Sequence, residues 1–421
     1  MFIFRRFLPV SSQQHLDRGS TRSKRLIKRR ARSTIETSAT FRASIKSAIQ
    51  QNMDGKRVIN FAAGPAKLPD EVLKTIQKDL FSYNNSGISM LELSHRSTDF
   101  MNLVKSTEET ARNLLNIPSN YKIIFLQGGG TGQFAAVPLN LMNTGQADYV
   151  VTGSWSSKAV KEASKYGIAA NVVPKSHTLY TSIPRFSDWE LSSGASYLYY
   201  CDNETINGVE FNFIPETGTD VPLVCDMSSN IMSRKFDITK FGAVFAGAQK
   251  NIGCAGTTMV IIREDLIGSA SNLCPSIWDY KIQCENGSLY NTPPTFSLYS
   301  ISLVLEWAKK EGGIDVLEHL AEKKSQLLYD IIDSSNGFYT NPIQKEVRSR
   351  MNVPFRITKN DDGGDLALEK EFIEGARQRG MVELKGHRSV GGIRASLYNA
   401  VTFEDVQKLT DFMSEFMDGR Q

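Results

Sequence analysis

The chain has 421 residues, 41% hydrophobic and 22% charged, more than one ordinary core holds, so two domains are expected. No run reaches the roughly eighteen apolar residues that a membrane-spanning helix needs. The formal charge of +4 is uneven: residues 1–52 hold twelve Lys and Arg against Asp17 and Glu36, a net +10, which leaves −6 for the rest. The body is therefore mildly acidic, and nucleic-acid binding by it has no electrostatic support.

Residues 1–53 form a basic extension rich in Arg, Ser and Thr. That composition suits an organelle transit peptide, and equally a disordered or non-native extension ahead of a start at Met53. The expected compartment is the cytoplasm, or an organelle if this segment targets the chain. From residue 54 onward, apolar β-branched runs alternate with helical patterns, the mark of an α/β fold. A helix is expected over Glu71–Leu80, then a buried strand at Tyr121–Leu126 leading into the glycine-rich QGGGTGQ. A helix follows over Phe134–Met142, which Pro138 is expected to interrupt. Further strands are read at Asp148–Val151, Tyr197–Tyr200, Val221–Cys225, Ala243–Ala246 and Thr258–Ile262. Ser300–Ser335 reads as two helices divided at Gly312–Gly313. Beyond them come strand Met351–Ile357, a surface turn at Asn360–Asp365, helix Ala367–Arg379, strands Met381–Leu384 and Ile393–Tyr398, and helix Phe403–Phe416. The division expected is a large domain over 54–312 and a smaller α/β domain with an antiparallel sheet over 313–421. No internal repeat is present.

Three features carry chemistry. QGGGTGQ (127–133) lies between a strand and a helix, where backbone N–H groups and the helix N-terminus suit a phosphate. Taken alone, a glycine cluster is more commonly a tight turn, and this one matches neither the P-loop nor the dinucleotide spacing. Asp226 follows an apolar strand; such a carboxylate is as often a turn former or helix cap. Lys250, in AVFAGAQKNIGCAG, follows another strand among small residues with no local acidic partner. Burial there lowers an ammonium's pKa, as a nucleophilic amine requires. Together they supply what pyridoxal phosphate needs: a phosphate cradle, a carboxylate that keeps the ring nitrogen protonated, and a lysine that bonds the aldehyde as a Schiff base. Trp155, in TGSWS, sits where it could stack on the ring, although a lone Trp is more often core. The five cysteines (Cys201, Cys225, Cys254, Cys274 and Cys284) are odd in number and lack a CxxC pair. That argues against a disulfide framework or a metal site.

With GPAKLP (64–69), LSHRS (93–97), QGGGTGQF (127–134), GSWS (153–156), NETINGVE (203–210), AGAQKNIG (246–253) and GHRSVGGIRASLYNA (386–400), the chain resembles the phosphoserine aminotransferase family. The resemblance implies a fold-type I architecture, with a mainly parallel seven-stranded sheet in the large domain, and a homodimer with shared active sites. It implies Lys250 as the cofactor lysine, Asp226 at the ring nitrogen, Trp155 on the ring face and Thr205 at the ring hydroxyl. Gly130 and Thr131 would bind the cofactor phosphate with Gln249 nearby, and Asn291 and Thr292 would reach it from the other subunit. The implied reaction moves an amino group between L-glutamate and 3-phosphohydroxypyruvate in ping-pong fashion.

Two His-Arg pairs, His95–Arg96 and His387–Arg388, and Arg394 suggest how such substrates are held. Each alone is most simply a surface or turn residue. Guanidinium forks, however, grip carboxylate and phosphate alike, and histidine can take up a proton to match phosphate's extra charge. The resemblance implies that Arg394 binds the shared α-carboxylate. His95, Arg96, His387 and Arg388 would hold the distal carboxylate or phosphate, with His95 and Arg96 crossing the dimer. A cysteine desulfurase remains an alternative, with Cys274 or Cys284 as nucleophile. So do an alanine–glyoxylate type aminotransferase, a nucleotide-binding protein and a non-catalytic relative.

Overall fold

The computed structural model describes residues 57–174, 180–218, 220–358 and 363–420. The basic extension 1–53 and residues 360–362 of the expected surface turn lie outside the described residues.

The large sheet has seven strands: β2 (Tyr121–Gln127), β3 (Gln146–Val150), β4 (Ile168–Asn171), β5 (Leu198–Cys201), β8 (Leu223–Asp226), β9 (Ala243–Gly247) and β10 (Thr257–Arg263). Their order is β2-β10-β9-β8-β5-β3-β4, and only β10 runs against its neighbours. Both faces of the sheet are buried, so alternate residues of each strand serve different cores. Ile123, Phe125, Val244, Ala246, Met259 and Ile261 face one core, and Ile124, Leu126, Ala243, Phe245, Val260 and Ile262 the other. The first face is covered by α2 (Thr98–Leu114) and α6 (Thr295–Lys310), through Phe100, Leu103, Leu298 and Leu305. The second is covered by α3 (Gly129–Leu141) and α4 (Ser154–Ala163), through Phe134, Val137, Ala159 and Ala163.

The C-terminal part has its own core. A three-stranded antiparallel sheet, β11 (Tyr339–Thr340), β12 (Asn352–Ile357) and β14 (Ile393–Ser396), packs with α8 (Leu366–Gln378) and α9 (Phe403–Asp418). Two features here depend on contacts far apart in the chain. Strand β1 (Ile59–Asn60) pairs in parallel with β13 (Met381–Val382), so Ile59 and Phe61 lie in this core. Helix α7 (Ile314–Ser334) serves both parts: Ile314 and Leu317 pack with the large sheet, Leu328 and Ile332 with the C-terminal core.

The interruption expected at Pro138 does not occur. Helix α3 runs through it and begins at Gly129, well ahead of Phe134. Every residue from Gly132 to Leu141 is buried, and that packing outweighs the lost backbone hydrogen bond. The earlier start puts Gly130 and Thr131 in the first helical turn, at the end of β2. Among the described residues no helix is long and apolar enough to cross a membrane.

Candidate active site

Open parallel sheets collect ligands beyond the carboxyl ends of their strands, and the chemistry-bearing residues converge there. The turn after β2 uses Gly128 and Gly129 at φ of 108° and 64°, a region that favours glycine. At Gly130 a Cβ would come within 3.0 Å of Ser228 Oγ, so the backbone lies hard against the loop after β8. Ser228 in turn accepts from Gly247 N (3.0 Å) and donates its own N–H to Asp226 Oδ1 (2.8 Å), which fixes that carboxylate at the end of β8. Lys250, three residues past β9, donates from Nζ to Thr205 Oγ1 at 2.6 Å. Its Nζ lies 5.6 Å from the Trp155 ring centre. One cleft joins these groups.

Its electrostatics follow from burial. Lys250 is 8% exposed, and desolvation lowers its pKa against the opposing pull of Asp226, Cys201 and Glu204. Asp226 is raised, again by burial first, with its Ser228 hydrogen bond and the Lys250 charge working the other way. Both groups are thus short of solvation, and a cation placed beside Asp226 would restore its charge balance. Among the described residues, the buried Arg394 Nε and Trp155 Nε1 have no hydrogen-bond partner.

Gly130, Thr131, Trp155, Thr205, Asp226, Gln249 and Lys250 all line this one cleft. Arg394 joins them from β14, its Nη1 donating to Thr205 O at 3.2 Å. His387 and Arg388 stand on the tight loop 386–392, closed by Gly386 N to Gly392 O at 2.8 Å. Burial lowers the His387 pKa, and the charges of Arg394, Lys158 and Arg388 lower it further, which marks these cations as neighbours. His95, Arg96, Asn291 and Thr292 do not line the cleft of their own chain. Arg96 and Thr292 are exposed, and the Asn291 amide donates to Gln127 Oε1 at 3.4 Å.

The structure adds residues that sequence reasoning missed. Asn203 and Ser229 line the cleft and bond to each other at 2.8 Å, and Asn203 also reaches Asn352 of β12 at 2.8 Å. Both stood beside recognised positions, in NETINGVE and in DMSSN, so adjacency was the available signal. Lys158, 4.2 Å from the Trp155 ring centre, had none beyond its place one turn along the same helix.

Residues 58–409 match the family model for aminotransferase class-V. The chain belongs to the class-V aminotransferase family. Within that family it is 58% identical over 360 residues to a phosphoserine aminotransferase of Drosophila melanogaster, covering 85% of this chain and 98% of that one. Among solved structures, the phosphoserine aminotransferase of Bacillus circulans subsp. alkalophilus superposes with a TM-score of 0.83 at 43% identity, covering 87% of this chain and 99% of that one. A PLP-bound phosphoserine aminotransferase from Trichomonas vaginalis gives 0.82 at 40% identity, covering 85% and 100%. The sequence resemblance therefore holds across the class-V aminotransferase fold, including its seven-stranded, mainly parallel sheet.

Proposed function

We propose that the chain is a phosphoserine aminotransferase: a pyridoxal-phosphate-dependent enzyme of serine biosynthesis that moves an amino group between L-glutamate and 3-phosphohydroxypyruvate. The observation that carries this reading is the buried Lys250 and Asp226 in one cleft with the Gly130 cradle and Arg394. The residues present fit the cofactor. The backbone at Gly130 leaves no room for a side chain against Ser228, as a close-fitting phosphate site requires, and Asp226 is a buried carboxylate that a protonated ring nitrogen would complement.

Bound pyridoxal phosphate supplies an aldehyde that bonds amines and a ring that draws electrons from the substrate Cα. Lys250 Nζ would hold that aldehyde and, once displaced by the substrate amine, move the proton from Cα; its lowered pKa suits it to act as a base. Asp226 would keep a proton on the ring nitrogen, Trp155 would cover a ring face, and Thr205 would bond the ring hydroxyl. Gly130 and Thr131 would direct N–H groups of the α3 N-terminus at the phosphate, with Gln249 beside them. Arg394 would take the α-carboxylate common to both substrates. His387 and Arg388 would take the distal anion. Burial and then the neighbouring cations hold the free His387 pKa down; the extra negative charge of a bound phosphate dianion would favour uptake of a proton from solvent by His387, which a carboxylate need not do.

Burial pushes the thiols of Cys274 and Cys284 up to about 11, which disfavours the thiolate that the desulfurase alternative needs. For assembly, the proposal is a homodimer in which His95, Arg96, Asn291 and Thr292 complete the partner's site. In support, the segments that bear them also bear exposed large apolar side chains: Phe81 (84% exposed), Leu91 and Met101 in one, Leu273 (79%) and Tyr290 in the other.

The test is a half-reaction. Mixing the purified enzyme with O-phospho-L-serine should convert its visible cofactor band to the amine form, and Lys250→Ala should show neither the band nor turnover. Normal turnover by that variant refutes the reading.

A further inference from the structure

Helix α4 places Trp155 in its first turn, and its N-terminus is capped in an unusual way. The residue before it, Gly153, has no side chain with which to cap, and a Cβ there would lie 2.2 Å from Glu204 Cδ. The free N–H groups of the first turn are instead taken by a distant hairpin, β6 (Asn203–Glu204) and β7 (Val209–Glu210), and the turn between them. Ser154 N donates to Asn207 Oδ1 at 2.9 Å. Trp155 N donates to Glu204 Oε2 at 2.8 Å, and Ser156 N and Oγ donate to Glu204 Oε1 at 2.8 and 2.6 Å. Glu204 is fully buried, which raises its pKa, and the three donors aimed at it pull the other way, favouring the charged form that only accepts. The negative charge also lies at the positive end of the helix.

The same segment presents Asn203 of β6 and Thr205, the residue just after it, to the cleft, and Thr205 accepts from Lys250. One backbone segment therefore fixes a ring-stacking residue through Glu204 and holds the cofactor lysine through Thr205. We propose that Glu204 is a positioning residue for the cofactor: by clamping the first turn of α4 it sets the angle at which Trp155 meets the ring. This rests on the cofactor reading above. Glu204 does not line the cleft, so it acts through Trp155 and leaves the substrate anions to the arginines.

The test compares wild-type holoenzyme with Glu204→Gln, which keeps the shape but turns an acceptor toward the helix into a donor. The expected result has three parts: a changed visible circular dichroism of the bound cofactor; cofactor loss on dialysis faster by about tenfold, the scale of one lost charge-assisted hydrogen bond; and a lower kcat with KM for both substrates within about twofold. In a Trp155→Ala background, which has no ring at that position, the same substitution should barely alter the dichroism. Wild-type dichroism and cofactor retention in Glu204→Gln, even with a lowered melting temperature, reduce Glu204 to a structural cap and overturn the proposal. An equal dichroism change in both backgrounds also overturns it. If Glu204→Gln does not fold, Ser156→Ala decides: it removes the 2.6 Å donor and leaves the charge, and an unchanged dichroism there refutes the idea. A wild-type enzyme with no visible band after addition of pyridoxal phosphate refutes the cofactor reading and this proposal together, whereas a normal band with an indifferent Glu204→Gln refutes this one alone.

Discussion

Arg394→Lys separates the two anion sites proposed for the substrate. Arg394 is half-buried on β14, its Nη1 anchored to Thr205 O at 3.2 Å while its buried Nε has no partner among the described residues. That leaves donors of the guanidinium fork free for a carboxylate, which both L-glutamate and O-phospho-L-serine carry at Cα. Lysine keeps the charge and loses the planar fork, so one charge-assisted hydrogen bond is forfeited. At about 1.5–3 kcal/mol for such a bond, apparent Kd should rise by about 10- to 150-fold. The assay is the half-reaction titrated separately with each amino acid, reading the loss of the visible band. Both Kd values should rise by a similar factor, and the band before substrate should be unchanged. Arg388→Ala is the contrast: its penalty should fall more heavily on O-phosphoserine than on glutamate. If Arg394→Lys weakens only the phosphorylated substrate, the assignment of the two anion sites is inverted and the reasoning fails.

Two further outcomes test the scaffold. Lys324 is buried, with Nζ donating to the carbonyls of Leu397, Tyr398 and Val401 at 2.9, 3.0 and 2.7 Å. Burial lowers its pKa to about 7, against the opposing charge of Asp405. An unfolded lysine titrates near 10.4, so between about pH 7 and 10.4 the unfolded chain binds more protons and this group makes stability rise with pH. From pH 7 to 9 the rise is at most about 2 kcal/mol, because the three carbonyls favour the cation. Urea melts should show Lys324→Met losing that increment relative to wild type; parallel pH profiles would contradict it. Phe81→Asp places a charge on an exposed apolar side chain of the segment that also bears His95 and Arg96. Sedimentation velocity should show monomers with little turnover, and a fully active monomer would remove the shared-site proposal.

Much of the site was legible in the linear order of residues, because each strand of a parallel sheet delivers its last residues to one edge. Asp226 after LVC, Lys250 after AVFAG and the glycine turn after YKIIFL each announce a strand end. A fold that gathers such ends brings them together. Strand periodicity was equally readable, since both faces of the sheet are buried and the runs are almost wholly apolar. The sequence by itself thus determined the α/β class and the strand-end positions of Lys250, Asp226 and the glycine turn, all of which depend on local pattern.

Only the tertiary structure decided what depends on partners far along the chain. Pro138 is a helix breaker by propensity, yet burial of α3 overrides it and moves the helix start to the cradle. Strand β1 finds its partner at β13, and two residues hold too little pattern to foretell a pairing. Glu204 reads as one acid among many until folding brings it to backbone N–H groups near residue 155. A buried carboxylate must find donors wherever the fold supplies them, and nothing in the residues beside it says where that will be.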